Sequence, residues 1–456
     1  MIRSDMLEDR SCFVSRSYSR ERDNSHNTWS YMSNYRIERL ESQQGKRPLE
    51  HDENEELDHT HPRKISKQSN SLQNLQLELG FLEFCNHSNS QDQSGDNSDS
   101  SSLINGLDRD NSLTCLMKCS RSDYGSIASL SRSFRELVRS GELYRLRRKN
   151  GIIEHWVYFS CHLVEWESFD PITSRWMHLP TMTSNPCFQF SDKESLAVGT
   201  ELLVLGKEVL DHVIYKYSLL TNSWCLGRNM NFPRCLFGSA SLGEIAIVAG
   251  GCDPNGKIVN SAELYDSESG TWETLPCMIK PRKMCSGVFM DDKFYVIGGI
   301  GGPEMKPLAC GEEYDLKTRE WKEIPNMSPV RTGTAPANEV GAVVVPRTEA
   351  PPLVAVVDNE LYAADCADME VRKYDKEKKE WETVGRLPER ADSMNGWGIA
   401  FRGCGDRVIV IGGPRAIGAG FIEVNSWVPR EGPPRWRLLG RKQSNNFVYN
   451  CAVMGC

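Results

Sequence analysis

Histidine, cysteine and arginine are the side chains here whose types could do chemistry, and their spacing separates them. The chain holds 9 histidines, the last of which is His212. Copper centres need imidazoles converging with tyrosine. Beyond residue 151 only His155, His162, His178 and His212 could supply them, so no such centre is expected. Among 16 cysteines the one close pair is Cys115 and Cys119. No second pair stands at zinc spacing, and the thiols read as small core residues. The arginines carry more information. Arg234, Arg282 and Arg331 each fall ten residues after a tryptophan, and Arg390 falls nine after one. Pro233 and Pro281 precede the first two. A residue that returns in phase around a closed repeat keeps its radius and its face. Four guanidinium groups there would make a basic collar suited to binding an acidic or phosphorylated segment of a substrate protein. The same placement also fits arginines that bond loop carbonyls and brace the repeat. No nucleophile elbow, phosphate loop or paired-carboxylate motif stands out, so neither catalysis nor a cofactor is expected.

The elements that must position these arginines follow from a repeat beginning near residue 151. An aromatic residue stands seven positions before a tryptophan in five places: Phe169 and Trp176, Tyr217 and Trp224, Tyr265 and Trp272, Tyr314 and Trp321, Tyr374 and Trp381. Asp170, Asp266, Asp315 and Asp375 follow four of the five aromatics. Apolar runs lead into Gly250-Gly251, Gly298-Gly299 and Gly412-Gly413, and the pair decays to Leu205-Gly206 and Ala363-Ala364 elsewhere. Short β-rich runs at this period predict four-stranded blades stacked face to face in a propeller. The ring side chains supply large buried area, and the glycines end a strand where backbones meet closely. Six units fit, with borders near 152–180 plus 445–456, 185–228, 233–276, 281–325, 331–388 and 391–440. The sixth is the least regular, reading Phe421-Ile422-Glu423-Val424-Asn425-Ser426-Trp427 before Trp436. The run from Phe447 to Met454 has the character of a unit's first strand with no unit after it, while the first unit lacks one. It should complete the first blade and remove an open edge. Residues 336–352 read as an inserted loop in the fifth unit.

Before the repeat the chain changes character twice. Residues 1–102 are polar and rich in Ser, Asn, Asp and Glu. They are expected to be disordered, because little there could be buried to offset the entropy of ordering. One apolar segment, Leu72 to Phe84, interrupts this and reads as a transient helix or a docking segment. Two small basic clusters, Lys46-Arg47 and Arg63-Lys64 with Lys67, fit solvated charge better than a split import signal. Residues 103–150 place Leu113, Leu116, Met117, Ile127, Leu130, Phe134, Leu137 and Val138 at helical steps, predicting about three short helices, the second capped from Ser122-Asp123. This stretch is locally basic through Arg145, Arg147, Arg148 and Lys149, which read as a solvated helix face. The whole chain carries −8, which argues against general nucleic-acid binding. No apolar run is long enough to span a membrane.

Residues 151–456 resemble kelch repeats, with Gly-Gly, Tyr-Asp and Trp in that family's order, and residues 105–148 resemble an F-box. An F-box just before such repeats, together with Phe447-Val448-Tyr449-Asn450-Cys451-Ala452-Val453-Met454 at the close, resembles the plant F-box/kelch-repeat proteins. The resemblance implies a six-bladed all-β kelch propeller behind a small all-α F-box-like module. It also implies a non-catalytic substrate receptor of a Skp–cullin–F-box ubiquitin ligase. The module would dock a Skp-family adaptor, and through it a cullin, while the propeller holds a protein target. Leu107, Leu113, Leu116, Leu130 and Phe134 are the candidate adaptor contacts. The family's opening Leu-Pro is Leu107-Asp108 here, so a kelch scaffold whose F-box no longer engages the ligase is the alternative. Nucleus and cytoplasm both fit.

Overall fold

Successive units of the repeat each fold into a four-stranded antiparallel sheet, and a computed structural model contains six of them among its described residues. Those residues are 102–209, 211–302, 305–329, 350–389, 393, 396–413, 420–444 and 446–456. Residues 1–101 of the expected polar region 1–102, with its apolar segment and basic clusters, lie outside them, as do residues 336–349 of the expected insertion.

The first strands of the blades run Asn450–Gly455, Phe190–Val198, Gly238–Leu242, Ser286–Met290, Leu353–Val357 and Ala400–Cys404. In that order each touches the next and the sixth touches the first, so they form a closed ring. The closing contact is covalently remote. Asn450–Gly455 pairs with His155–Ser160 over six residue pairs, from His155 opposite Gly455 to Ser160 opposite Asn450. Each blade has two apolar faces, and the core is accordingly divided into slices between neighbouring blades. Leu196, Val198 and Leu203 of blade 2 meet Phe237, Ala246 and Val248 of blade 3. Val157, Phe159 and Phe169 of blade 1 meet Ile409, Ile411 and Val424 of blade 6 in the same way. Second strands such as Ile245–Ala249 are covered on both faces, which is why they read as unbroken apolar runs.

The repeated side chains have distinct physical duties. The aromatic and the tryptophan of a unit lie directly opposite each other on its third and fourth strands, as with Tyr265 and Trp272, whose ring centroids are 5.0 Å apart. The indole N–H then reaches the preceding blade. Trp224 donates to Pro180 O at 2.7 Å, Trp272 to Arg228 O at 2.8 Å and Trp321 to Pro276 O at 2.8 Å. The Asp after the aromatic caps the next turn: Asp266 accepts from Glu268 N, Asp315 from Lys317 N and Asp375 from Glu377 N. In the sixth blade the aromatic place belongs to Trp427. It packs edge-on to Trp436 at 6.0 Å, and a 3-10 turn over Pro429–Glu431 stretches the spacing from seven to nine residues.

Among the described residues four α-helices precede the ring: α1 (Arg109–Lys118), α2 (Tyr124–Leu130), α3 (Arg132–Arg139) and α4 (Glu142–Lys149). Of the described residues, 102–112 belong to one compact unit and 113–456 to another. In the first, the Asp108 carboxylate accepts from Asn111 N at 2.8 Å, so the residue standing at the family's proline is the N-cap of α1. The caps expected at Ser122-Asp123 are placed differently. Ser120 caps a 3-10 turn over Arg121–Asp123, Asp123 makes no capping bond to α2, and Ser131 caps α3 by accepting from Phe134 N. Gly141, with φ +73°, turns the chain from α3 into α4. None of the described helices is long and apolar enough to cross a membrane.

Candidate functional site

Antiparallel order sorts every connection onto one of two faces of the ring. Turns between first and second strands, and between third and fourth, lie on one face. Loops between second and third strands, and the links from blade to blade, lie on the other. The arginine repeat belongs to this second, loop face.

There the expected collar turns inward. Arg234 is 2% exposed and Arg282 is fully buried. Arg282 donates to Gly298 O at 2.9 Å, Cys310 O at 3.1 Å and the Glu312 carboxylate at 2.6 Å. Glu312 also accepts from Ile279 N and Lys280 N. Arg234 repeats the arrangement with Ser261 O and Glu263, and Glu263 accepts from Asn231 N and Phe232 N. Burial pulls the Arg234 guanidinium down from its ordinary value, and the Glu263 charge opposes this. These groups brace the blade-to-blade link against the third strand, and a ligand could reach neither. Arg331 and Arg390 lie outside the described residues. The glycine pairs serve the same junction. A Cβ on Gly250, at φ +72°, would stand 2.4 Å from Arg282 O, and one on Gly251 2.3 Å from Cys235 O.

The loops of blades 3 and 4 on this face are tied together by a short ribbon. The backbone of Cys235 pairs with that of Cys252, which pairs in turn with that of Ile258, and neither cysteine is in a disulfide. Arg282 N donates to Val259 O, and Arg282–Lys283 pairs with Ile300–Gly301, which pairs with Lys306–Pro307. Large apolar side chains stay exposed on this face at Val209, Phe232, Ile279, Met305 and Phe421. Such surface suits protein recognition. Two-residue strands carry no periodic signature, so the ribbon left no trace in the sequence pattern.

A second arrangement missed by sequence reasoning lies where blade 2 lines the axis. A bulge between Ser191 and Ser195 breaks the register of its first strand. Bulges re-aim side chains, and this one sends three charged groups to other blades. Asp192 accepts from Leu236 N of blade 3 at 2.8 Å. Lys193 donates to Cys285 O beside blade 4 at 3.0 Å. Glu194 accepts from Arg402 of blade 6 at 3.2 Å. Burial pushes the Asp192 carboxyl up to about 6, against the opposing pull of Lys193. A raised folded-state value means that stability held below the unfolded-state range is lost as pH rises through 6. Asp192→Asn should therefore gain on the wild type by up to about 3 kcal/mol between about pH 4 and pH 7. Melting temperatures of both proteins at about pH 5 and about pH 7.5 check this, and parallel curves would contradict it.

On the opposite face the helices are joined to the propeller through buried cations. Arg121 lies 4.3 Å above the Trp156 ring and donates to Cys456 Sγ at 2.6 Å and Tyr158 Oη at 3.0 Å. Arg147 donates to Cys119 O at 2.6 Å and to Glu154 at 2.7 Å. Arg148 pairs with Glu244 in a turn of blade 3. Arg147 and Arg148 are thus junction residues, not a solvated helix face. Of the expected adaptor contacts, Leu113 and Leu116 are 7% and 5% exposed and belong to the core of the helices. Leu107 and Phe134 are half-buried, and Leu130 is 60% exposed at the end of α2. Among the described residues no three His, Cys, Asp or Glu side chains gather in a metal-holding group.

Comparison with known proteins agrees with this architecture. A family model described as Kelch motif matches residues 233–279 and 281–328. The chain is 62% identical over 398 residues to F-box/kelch-repeat protein At1g26930 of Arabidopsis thaliana, covering 86% of this chain and 93% of that one. It is 68% identical over 367 residues to F-box/kelch-repeat protein SKIP11 of the same plant, covering 80% and 78%. F-box/kelch-repeat protein At3g27150 is 36% identical over 353 residues, covering 74% and 80%.

Proposed function

The chain belongs to the F-box/kelch-repeat family, and from that premise we propose that it is the substrate-recruiting subunit of a Skp–cullin–F-box ubiquitin ligase. The helices dock a Skp-family adaptor, and the loop face of the propeller holds a target protein. The chain acts by proximity, bringing the target near a charged ubiquitin carrier, and supplies no catalytic residue. One observation carries the reading: the helices are fastened to the turn face through Arg121, Arg147 and Arg148, which leaves the loop face with its exposed apolar side chains turned the other way. Adaptor and target could then be held at once. Work in the nucleus, the cytoplasm or both is part of the proposal.

Leu130→Asp tests it. The side chain is exposed, so folding should change by less than about 0.5 kcal/mol. Recovery of a Skp-family adaptor with the purified protein should fall at least about tenfold, since a buried charge replaces an apolar anchor at the contact. A wild-type protein that recovers no adaptor would instead favour a kelch scaffold whose Asp108 caps α1 without contributing to adaptor binding.

A further inference from the structure

The second helix–helix corner of the module carries a charge pattern that the proposed docking leaves unexplained. Arg132, Arg135 and Arg139 occupy positions i, i+3 and i+7 of α3, which fall on one side of a helix. All three are exposed. Arg135 Nε donates to Ala128 O at 3.2 Å, which holds its guanidinium against the C-terminal end of α2, two residues from Leu130. No carboxylate among the described residues pairs with any of the three, whereas exposed cations of the propeller commonly do pair. Arg319 meets Glu273 at 2.7 Å, Arg430 meets Asp358 at 2.7 Å and Lys376 meets Asp291 at 2.6 Å. The corner therefore presents an apolar tip, Leu130, beside a ridge of three exposed arginines that outnumber Glu136, the one carboxylate of α3, which lies on the same side.

We propose that this ridge is the electrostatic half of the adaptor interface. The Skp-family adaptor would offer a pocket for Leu130 flanked by carboxylates that meet Arg132, Arg135 and Arg139. The inference rests on the ligase reading above and adds the chemistry of the partner's surface. Planar guanidinium groups suit carboxylates because two parallel N–H donors match two oxygens. Rim charges of this kind act mainly on the rate of association and on its dependence on salt.

The test uses the purified full chain, a purified Skp-family adaptor and the double variant Arg132→Glu, Arg139→Glu, which spares the bond from Arg135 to α2. Wild-type affinity should weaken as salt rises from about 50 to about 300 mM. The reversed variant should bind about tenfold more weakly at low salt and lose most of that salt dependence. Arg132→Lys with Arg139→Lys should keep the salt dependence, because charge is retained, and lose only the part of the affinity that paired N–H donors supply. Equal affinity of wild type and reversed variant, or wild-type binding indifferent to salt, would overturn the inference and leave the ligase reading standing. A wild type that binds no adaptor would remove both. Vesicles containing phosphatidylserine form the remaining arm. If they retain wild type but not the reversed variant while adaptor affinity is unchanged, the ridge serves an anionic membrane and the inference fails.

Discussion

Arg282→Ala is expected to lower the stability of the propeller by about 3–5 kcal/mol, because it strands a carboxylate in the interior. Glu312 is fully buried, and without Arg282 its charge keeps only the backbone donors of Ile279 and Lys280. Gly298 O loses its donor at the same time, while Cys310 O keeps the backbone N–H of Gly298. The midpoint of guanidinium denaturation should fall accordingly. Arg282→Met combined with Glu312→Leu should be no worse than the single substitution, since the unpaired charge leaves with its partner. Target capture by Arg282→Ala, measured below its unfolding temperature, should match wild type. An unchanged midpoint with lost capture would make the arginine a ligand contact and reinstate the collar.

Why the collar and the brace could not be told apart in the sequence is instructive. Both put an arginine in the same phase of four units, and phase fixes radius and face without saying which way a side chain turns. A distinguishing signal was nevertheless present. The two units whose arginine follows a proline are also the units with Glu two residues before the third-strand tyrosine, Glu263 before Tyr265 and Glu312 before Tyr314. Those carboxylates lie 29 and 30 residues beyond their arginines. Blade 2 has Tyr215 in that position, and there Tyr215 Oη accepts from Asn185 N of its own entering link. The duty of closing the link is thus kept by a different group. The regular part of the fold was legible because one physical need, burial of two blade faces, recurs with every unit and imposes one register. Trp427, the bulge at Asp192 and the short ribbon each arise once or involve too few residues to impose a period. They come into view only when the chain is folded.

The join between helices and propeller leads to the remaining large effect, expected of Arg121→Ala. Burial alone would pull this guanidinium down, but Cys456, Tyr158 and Tyr144 outweigh it and hold the pKa above its ordinary value. The group is therefore a permanent cation enclosed by Trp156, Tyr158 and Cys456. Deleting it removes a desolvated cation–π contact of about 2 kcal/mol and leaves the Tyr158 hydroxyl and the Cys456 thiol without their donor. The propeller has its own inter-blade cores and should survive. The helices rely on this seam, since the backbone of Arg121 and the side chain of Arg147 both end on Glu154 at the head of blade 1. Thermal unfolding of Arg121→Ala should then split, with the helical signal lost below the sheet signal. Proteolysis in the native state should cut near residues 150–154 faster than in wild type. Arg121→Lys should restore little, because an ammonium cannot lie flat on the indole and also reach two acceptors. If the chain is the proposed ligase subunit, adaptor binding by the helices alone need not change, but delivery of a captured target should slow, because the two proposed binding faces would no longer be held at one fixed angle. Coincident unfolding of helices and sheet in Arg121→Ala would show that the seam is carried elsewhere, by the Arg147 and Arg148 pairs.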